Sequence, residues 1–415
     1  MMNFPCMIPV RQRFARPRIE DVEAAAREEM ERVLPPDLAG KHIAITAGSR
    51  GIRNIGLILR AVVGSLRARG ACPFLVPAMG SHGGATAEGQ VTVLESLGVS
   101  EAACGAPVRS SMEVVQIGVS CDGVAVYMDR HAHEADGIVL VNRIKAHTDY
   151  QGPYESGLMK MAAIGLGKQA QAIALHDHGV RGLRDLMPGV ARAVLASGKI
   201  LCGLALLENA YDETVHIEAL RPDDIPAREP DLLARSKTML PTLPVDDIDL
   251  LIVDEIGKDY SGAGMDTNVL GRRRILGEAE PEHPRIKYVF ARDLSRASHG
   301  NAIGIGLADV TTRRLFDKID FAVMNQNAVT STFLARAAVP LVVENDRAAL
   351  EAALRACWGG APEHARIVHI ANTLHLEHVR VSETLAGELN DAARFEILGP
   401  AEPMTFDGQG NLRRA

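Results

Sequence analysis

The chain has 415 residues, 47% of them hydrophobic and 23% charged, a composition typical of a soluble globular protein large enough for two domains. Its 45 Lys and Arg and 52 Asp and Glu give a net charge of −7, which argues against a general binder of nucleic acids or anionic membranes, since these need a basic surface. The six cysteines form no C-x-x-C pair and no apolar run approaches the ~20 residues of a membrane span, so we expect a cytoplasmic protein with reduced thiols.

Strands, glycine-rich loops and helices alternate in the first half of the chain. Ile55, Leu59, Val62 and Leu66 recur on one helical face, and Thr86 could cap a second helix. Alternation of this kind predicts right-handed crossovers and a parallel sheet. Strands are predicted at 41–47, 73–78, 137–141 and 200–207, and helices at 55–66, after Thr86 and at 167–175.

A second α/β series follows residues 221–247, where five prolines lie among charges and indicate a linker or domain-crossing segment. We therefore predict an α/β protein with two domains and mostly parallel sheets. The domains span 1–240 and 241–415, with the alternative that the extreme C-terminus returns to the first domain. In the second domain, strands are predicted at 248–253, 286–291, 341–344 and 367–370, and helices at 329–338 and 347–357.

Two histidines follow predicted strands of the first domain. His82 lies in a Gly-Ser-His-Gly-Gly loop, where glycines allow a sharp turn and the close approach of a ligand. His147 follows strand 137–141 in polar surroundings. Imidazole is suited to proton transfer near neutral pH, and loops at the ends of strands often carry catalytic groups. On the residues alone, His82 could equally serve only its turn, whereas a functional His147 is favoured over a surface histidine.

Three further side chains of this region have chemical alternatives. Lys160 lies among apolar residues, where a lysine can lose its charge and become nucleophilic, although such lysines more often extend to water. His176 and His178 form a His-x-His pair that chelates a metal only from an extended segment, so the pair alone is a weak metal signal.

A loop after strand 248–253 carries the second cluster of polar residues. It runs from Lys258 through Asp266-Thr267-Asn268 to three consecutive arginines that end at Arg274. These arginines could bind a phosphate or carboxylate, although a solvated charged run is the more frequent meaning. Like the histidine loops of the first domain, this loop directly follows a predicted strand. The loops of the two domains could therefore face each other across a cleft.

These residues, taken in order, resemble the nickel-dependent lactate racemase family over most of the chain. The resemblance implies two α/β domains with the active site in the cleft between them. It also implies a nickel-pincer nucleotide, a pyridinium-3,5-bisthiocarboxylic acid mononucleotide whose two sulfur arms and one ring carbon hold nickel. In that family a lysine forms a thioamide with one arm, and a histidine is the protein ligand to the metal.

Carried over by position, the resemblance assigns roles to six residues of this chain. Lys160 would link the cofactor, and His176, sixteen residues later, would bind nickel, with His178 the less favoured ligand. The implied acid/base residues are His82 and His147, and the implied substrate-binding residues are Arg50 and Arg274. The chain departs from the family pattern in that Leu158-Met159 replace two glycines and the segment from His147 to Lys160 is longer, differences that bear on the substrate more than on the fold.

The resulting expectation is a racemase or epimerase of a small 2-hydroxy acid, acting by hydride abstraction and return. Expected partners are the 2-hydroxy acid and, transiently, proteins that make the cofactor, with no nucleic acid or membrane and with homo-oligomer formation left open. Two alternatives remain: a cofactor-free nucleotide- or carboxylate-binding protein on the same fold, and a metal hydrolase that uses His147, His176 and His178.

Overall fold

The computed structural model describes residues 2–358 and 360–413. The chain divides into two compact units. Ala15–Leu240 is called the N-terminal unit, and Met1–Phe14 together with Pro241–Ala415 is called the C-terminal unit. The first fourteen residues were expected in the N-terminal domain, but strand β1 (Met7–Gln12) pairs with strands from the end of the chain and so belongs to the C-terminal unit. The prediction also allowed the extreme C-terminus to return to the first domain, but the described C-terminal residues belong to the C-terminal unit.

The N-terminal unit contains seven strands and ten helices. Two π-helical turns, Met161–Gly165 and Gly182–Leu186, join consecutive helices. In chain order the elements are α1 (Val22–Val33), β2 (His42–Ala47), α2 (Ile55–Arg67), β3 (Cys72–Pro77), α3 (Ala87–Ser96), α4 (Glu101–Cys104), β4 (Val114–Val119), β5 (Ala125–Asp129), α5 (Arg130–Glu134), β6 (Gly137–Arg143), α6 (Leu158–Lys160), α7 (Leu166–His176), α8 (Gly179–Arg181), α9 (Met187–Leu195), β7 (Ile200–Glu208), β8 (Thr214–Leu220) and α10 (Ile225–Lys237).

The main sheet of this unit has the order β3-β2-β6-β7-β8. All neighbouring strands are parallel except β8, which runs antiparallel to β7. Strands β4 and β5 form a separate antiparallel pair. The four strands predicted in this half of the chain are all present. Because β2, β3 and β6 are parallel, the loops that follow them leave the sheet at one edge.

The apolar stripe predicted for α2 is buried against the sheet. Ile55, Leu59, Val62 and Leu66 are each at most 7% exposed, and they belong to one core with sheet residues such as Ile45. Burial of a side chain of this size stabilises the fold by about 2 kcal/mol. The 3.6-residue period therefore identified both the helix and the face that it packs on the sheet.

The C-terminal unit is built on an eight-stranded sheet. Its order is β12-β11-β10-β9-β13-β14-β1-β15, parallel from β12 to β13 and antiparallel beyond. Its remaining elements are β9 (Asp247–Ile256), α11 (Thr267–Leu270), β10 (Arg285–Leu294), β11 (Val310–Thr312), α12 (Arg313–Phe316), α13 (Phe321–Ser331), β12 (Leu341–Val343), α14 (Asp346–Ala356), β13 (Ile367–Ile370), β14 (His378–Ser382) and β15 (Phe395–Ile397). Both units are thus α/β with mostly parallel sheets, as predicted.

Two predictions about local structure need correction. Residues 221–247 contain the boundary between the two units, after Leu240, as expected of a domain-crossing segment. They are not a linker throughout, because helix α10 occupies 13 of them, with Pro226 in its first turn and buried side chains along one face. The helix predicted at 329–338 is also displaced. Asp320 caps α13 by accepting hydrogen bonds from two backbone N–H groups, so the helix starts at Phe321 and ends at Thr332, which has a left-handed backbone. None of the helices in the described ranges combines the length and apolar character that a membrane crossing requires.

Candidate active site

Three predicted site residues of the N-terminal unit lie in loops at one edge of its sheet. Arg50 follows β2, His82 follows β3 and His147 follows β6. The first two loops pack closely on the chain after α6. A Cβ atom added to Gly48 would lie 3.3 Å from Met161 Cε, and one added to Gly80 would lie 3.1 Å from a methyl carbon of Ile164. The glycines therefore let these loops approach the segment that carries Lys160.

A buried carboxylate holds the His147 loop in shape. Oε2 of Glu155 accepts a hydrogen bond from the His147 backbone N–H at 2.6 Å, and Oε1 accepts one from Gly152 N–H at 3.2 Å. Lys237 of α10 donates to the same Oε1 at 2.6 Å. The Tyr150 ring packs on the His147 imidazole, with ring centroids 4.7 Å apart. The imidazole is thus fixed from both its backbone and one ring face.

The hydrogen bonds of His147 define its neutral tautomer. Its Nδ1 accepts a hydrogen bond from Asp149 N–H at 3.0 Å, so the ring proton belongs on Nε2. Nε2 lies 2.6 Å from Lys160 Nζ. With the ring proton on Nε2, this contact joins Nε2–H to the lone pair of a neutral Lys160 amine.

Electrostatics raise the share of the neutral amine at Lys160. Burial lowers the pKa of its amine to about 8, and the positive charge of Arg50 adds to this effect. The carboxylates of Asp149 and Glu155 oppose the shift. An amine with such a pKa is nucleophilic near neutral pH, in contrast to an ordinary solvated lysine.

A glutamate from the former linker region caps the turn that carries Lys160. Oε2 of Glu229, in α10, accepts a hydrogen bond from Met159 N–H at 2.9 Å. Burial raises the pKa of this carboxyl group to about 7, while the N–H groups of Met159 and Leu158 oppose the rise. A Cβ atom at Gly157 would lie 2.2 Å from Oε1 of Glu229, so the cap depends on glycine at this position. The approach of α10 thus fixes the start of α6.

The backbone between Lys160 and His176 is not one straight helix. Along a straight helix, residues sixteen apart would be separated by roughly 24 Å. The helical path is interrupted at Lys168, whose φ of 55° and ψ of −155° are not helical. Burial lowers the pKa of His176, and the charge of Lys160 lowers it further, while Asp149 opposes the shift. The lowered pKa favours the neutral imidazole of His176, whereas His178 is exposed.

His82 has the opposite neutral tautomer to His147. Its Nδ1 donates to Met79 O at 2.7 Å, which leaves the lone pair of the neutral ring on Nε2. The side chain is exposed. Gly83 makes the turn possible, because a Cβ there would lie 2.5 Å from the carbonyl carbon of Gly89. Thr86 then accepts a hydrogen bond from Gly89 N–H and caps α3, as predicted.

The two arginines have different surroundings. Arg50 is exposed, yet nearby protein atoms desolvate its guanidinium enough to lower its pKa, with Arg143 adding to the effect and Asp149 opposing it. Arg274 lies in the C-terminal unit, where its Nη2 donates to Asp309 Oδ1 at 2.7 Å. The structure thus pairs Arg274 with a carboxylate of its own unit, and its substrate-binding role stays a prediction.

The metal-hydrolase alternative finds no ligand set in the described ranges. No group of three or more His, Cys, Asp or Glu side chains there could hold a metal ion. In particular, His147 is bonded to Lys160 while His178 is exposed, so the three histidines do not form a tripod.

The sequence analysis missed the residues that organise the site. Glu155 anchors the His147 loop and Glu229 caps the Lys160 turn, while Asp149 affects the pKa of Arg50, Lys160 and His176. The one available signal was Gly157 directly before the Lys160 turn, since a glycine there allows another group to approach closely. Glu229 gave no signal, because it lies in a proline-rich segment interpreted as a linker.

Among solved structures, the chain is similar to the lactate racemase apoprotein from Thermoanaerobacterium thermosaccharolyticum. The two share 13% sequence identity with a TM-score of 0.39, and the match covers 60% of this chain and 66% of that chain, just under two thirds of its length. At this identity and overlap the match carries no inference about activity. No family model matches the chain, and none of the curated proteins does.

Proposed function

We propose that this protein is an isomerase, a racemase or epimerase of a small 2-hydroxy acid that works with a nickel-pincer nucleotide. The observation that carries the proposal is the 2.6 Å contact between Lys160 Nζ and His147 Nε2, which joins the side chain assigned to the cofactor and one of the two assigned to proton transfer. Arg50 and His176 belong to the same electrostatic neighbourhood. Four of the six residues assigned by the family resemblance are therefore linked through Lys160.

The donor chemistry of two residues fits the cofactor. Covalent attachment through a thioamide needs an unprotonated amine, which the lowered pKa of Lys160 supports. A nickel ligand needs a neutral imidazole, which the lowered pKa of His176 supports. Lys160 would therefore hold the cofactor and His176 would bind its nickel. When bound, that group supplies an electron-poor acceptor for the hydride of the substrate C–H bond.

The protein's own part is to move the hydroxyl proton of the substrate. Nε2 of neutral His82 carries a lone pair and can accept that proton, whereas Nε2 of neutral His147 carries a hydrogen and can donate one. Inversion needs one base and one acid, and the two tautomers supply this pair. In the reverse reaction, the two histidines exchange roles.

Arg50 would bind the substrate carboxylate. A guanidinium group presents two parallel N–H donors to a carboxylate, which fixes orientation as well as charge. The desolvation that lowers the Arg50 pKa also strengthens its attraction for a bound anion, since screening by water is reduced.

The proposal is tested on protein made together with the cofactor-synthesis proteins. Intact-mass and peptide mass spectrometry should show an adduct on Lys160, and a panel of chiral 2-hydroxy acids should reveal at least one whose optical rotation decays. Lys160→Ala should lose both the adduct and the activity. Lys41→Ala is the matched control, because Lys41 is an exposed lysine of the same unit, and it should retain both.

Wild-type protein that stays unmodified and inactive on the whole panel would contradict the proposal. Binding of a 2-hydroxy acid without turnover, equal in wild type and Lys160→Ala, would favour the cofactor-free carrier instead.

A further inference from the structure

A second lysine of the same helical path is wholly buried. Lys168 is 0% exposed, and its Nζ donates hydrogen bonds to Pro77 O at 2.6 Å and to Gln90 Oε1 at 2.7 Å. Its Nζ also lies 3.3 Å from Oδ2 of Asp129, a buried carboxylate. Three oxygen atoms from three separate elements therefore surround one ammonium group, none of them from the helix that carries it.

Gln90 extends this contact to the His82 loop. While its Oε1 accepts from Lys168, its Nε2 donates to Gly80 O at 3.0 Å and to His82 O at 3.2 Å. Gln90 is itself 0% exposed. The exposed His82 is thus held through its own backbone by a buried chain of hydrogen bonds that ends at Lys168.

The backbone of Lys168 affects the other side of the site. Its positive φ interrupts the helical path between Lys160 and His176. A non-glycine residue in this conformation costs about 1–3 kcal/mol and persists only where its surroundings fix it. The three oxygen contacts of the side chain fix it here.

We propose that Lys168 is a positioning residue that sets the His82 loop and the course of the backbone between Lys160 and His176. The chemical roles of the three positioned groups rest on the proposed function, whereas the hydrogen-bond chain and the backbone break do not. A lysine that served only as half of a buried ion pair would need Asp129 alone. The additional bonds to Pro77 and Gln90 link it to the strand and helix on either side of the His82 loop.

The test compares Lys168→Met with Lys199→Met. Lys199 also donates to a backbone carbonyl, Ala135 O at 2.9 Å, but next to the start of β7, so it controls for the loss of a lysine hydrogen bond in this unit. By hydrogen exchange, the amides of His82 and Ala85 should exchange at least ~10-fold faster in Lys168→Met and at the wild-type rate in the control. In the cofactor-loaded enzyme, kcat should fall roughly 100-fold with little change in KM, because misplaced catalytic groups slow chemistry more than binding.

A second variant covers the case in which Lys168→Met does not fold. Gln90→Glu keeps an oxygen acceptor for Lys168 but removes both donors to the loop, and it should raise loop exchange in the same way. Unchanged exchange of the His82 and Ala85 amides in Gln90→Glu, or in folded Lys168→Met, would overturn the inference. Hydrogen exchange does not depend on turnover. An inactive wild type would therefore refute the proposed function, whereas the exchange rates would still test the role of Lys168.

Discussion

Two lysines eight residues apart in the N-terminal unit have different surroundings. Lys160 is partly buried, and its hydrogen bond runs to a nitrogen, Nε2 of His147. Lys168 is wholly buried and is surrounded by three oxygens, one of them from the carboxylate of Asp129. Burial lowers the pKa of both amines. The two residues therefore differ most in the atoms that contact their amines.

The comparison shows how partners decide what a buried amine does. Oxygen acceptors stabilise an ammonium group and leave its nitrogen without a lone pair for chemistry, as expected of a structural lysine. An imidazole that must donate its own proton stabilises the neutral amine, as expected of a reactive lysine. The short path from α6 to α7 thus contains one amine suited to covalent attachment and one suited to holding the backbone.

The largest expected effect tests whether Lys168 is structural and Lys160 is not. Lys168→Met should lower the free energy of unfolding by about 4 kcal/mol, because it leaves the buried Asp129 without its cation. Lys160→Met should change it by less than about 1 kcal/mol, since an apolar side chain replaces an amine that is costly to bury. Guanidinium unfolding of both variants measures the difference, and equal losses would remove the distinction.

The second effect concerns the cap on the Lys160 turn. The folded-state pKa of Glu229 is about 7, above its ordinary 4.5, so the protonated form is favoured by folding. Its contribution is therefore fully present below pH 4.5 and is lost as pH rises through 7, a change of about 3 kcal/mol. Glu229→Gln cannot titrate, so the difference in unfolding free energy between wild type and this variant should change over that window. A constant difference would contradict the assignment.

A smaller effect is expected from Gly157→Ala. The new Cβ would overlap the Glu229 carboxylate and displace either α10 or the Lys160 turn, at a cost of about 2 kcal/mol. Because the clash is with one side chain, Glu229→Ala in the same molecule should recover part of this loss. Thermal unfolding of the two single variants and the double variant measures the coupling, and additive losses would show that the clash is absent.

The smallest expected effect tests whether the His147 loop is independent of the hydrogen bonds that join Lys168 to the His82 loop. The Tyr150 hydroxyl donates to the backbone carbonyl of Glu155 at 3.1 Å, so Tyr150→Phe should cost about 1 kcal/mol of unfolding free energy. The ring that packs on His147 is retained. Hydrogen exchange should therefore change around residues 147–155 and stay constant at His82. Faster exchange at both loops would indicate that the two regions are not independent.

Much of the fold was predictable from local pattern. The buried apolar runs of β2, β3, β6 and β9 and the 3.6-residue stripe of α2 each depend on neighbouring residues alone. The pairing of β1 with β14 was not predictable, because it joins residues more than 360 positions apart. The linker predicted at 221–247 was wrong for a different reason. Prolines are common in linkers, but they also occur in the first turn of a helix, as Pro226 does in α10.

In the candidate site, too, some residues could be identified from the sequence and others only from the fold. Side chains able to do chemistry, such as His82, His147 and Lys160, stand out by type and by their position after strands. The groups that set their protonation states do not, because Glu229 and Gln90 are ordinary helical residues until the fold brings them to the site. The tautomers of His82 and His147 likewise depend on backbone atoms whose positions only the folded chain defines.

The central claim is that Lys160 is an amine of lowered pKa held by His147, and its titration tests this most directly. Competitive acetylation across a pH series, read by peptide mass spectrometry, should give Lys160 a midpoint of about 8 while Lys168 stays unlabelled in the folded protein. A midpoint near the ordinary value of 10.5 would mean that the pKa of Lys160 is not lowered and would contradict the account.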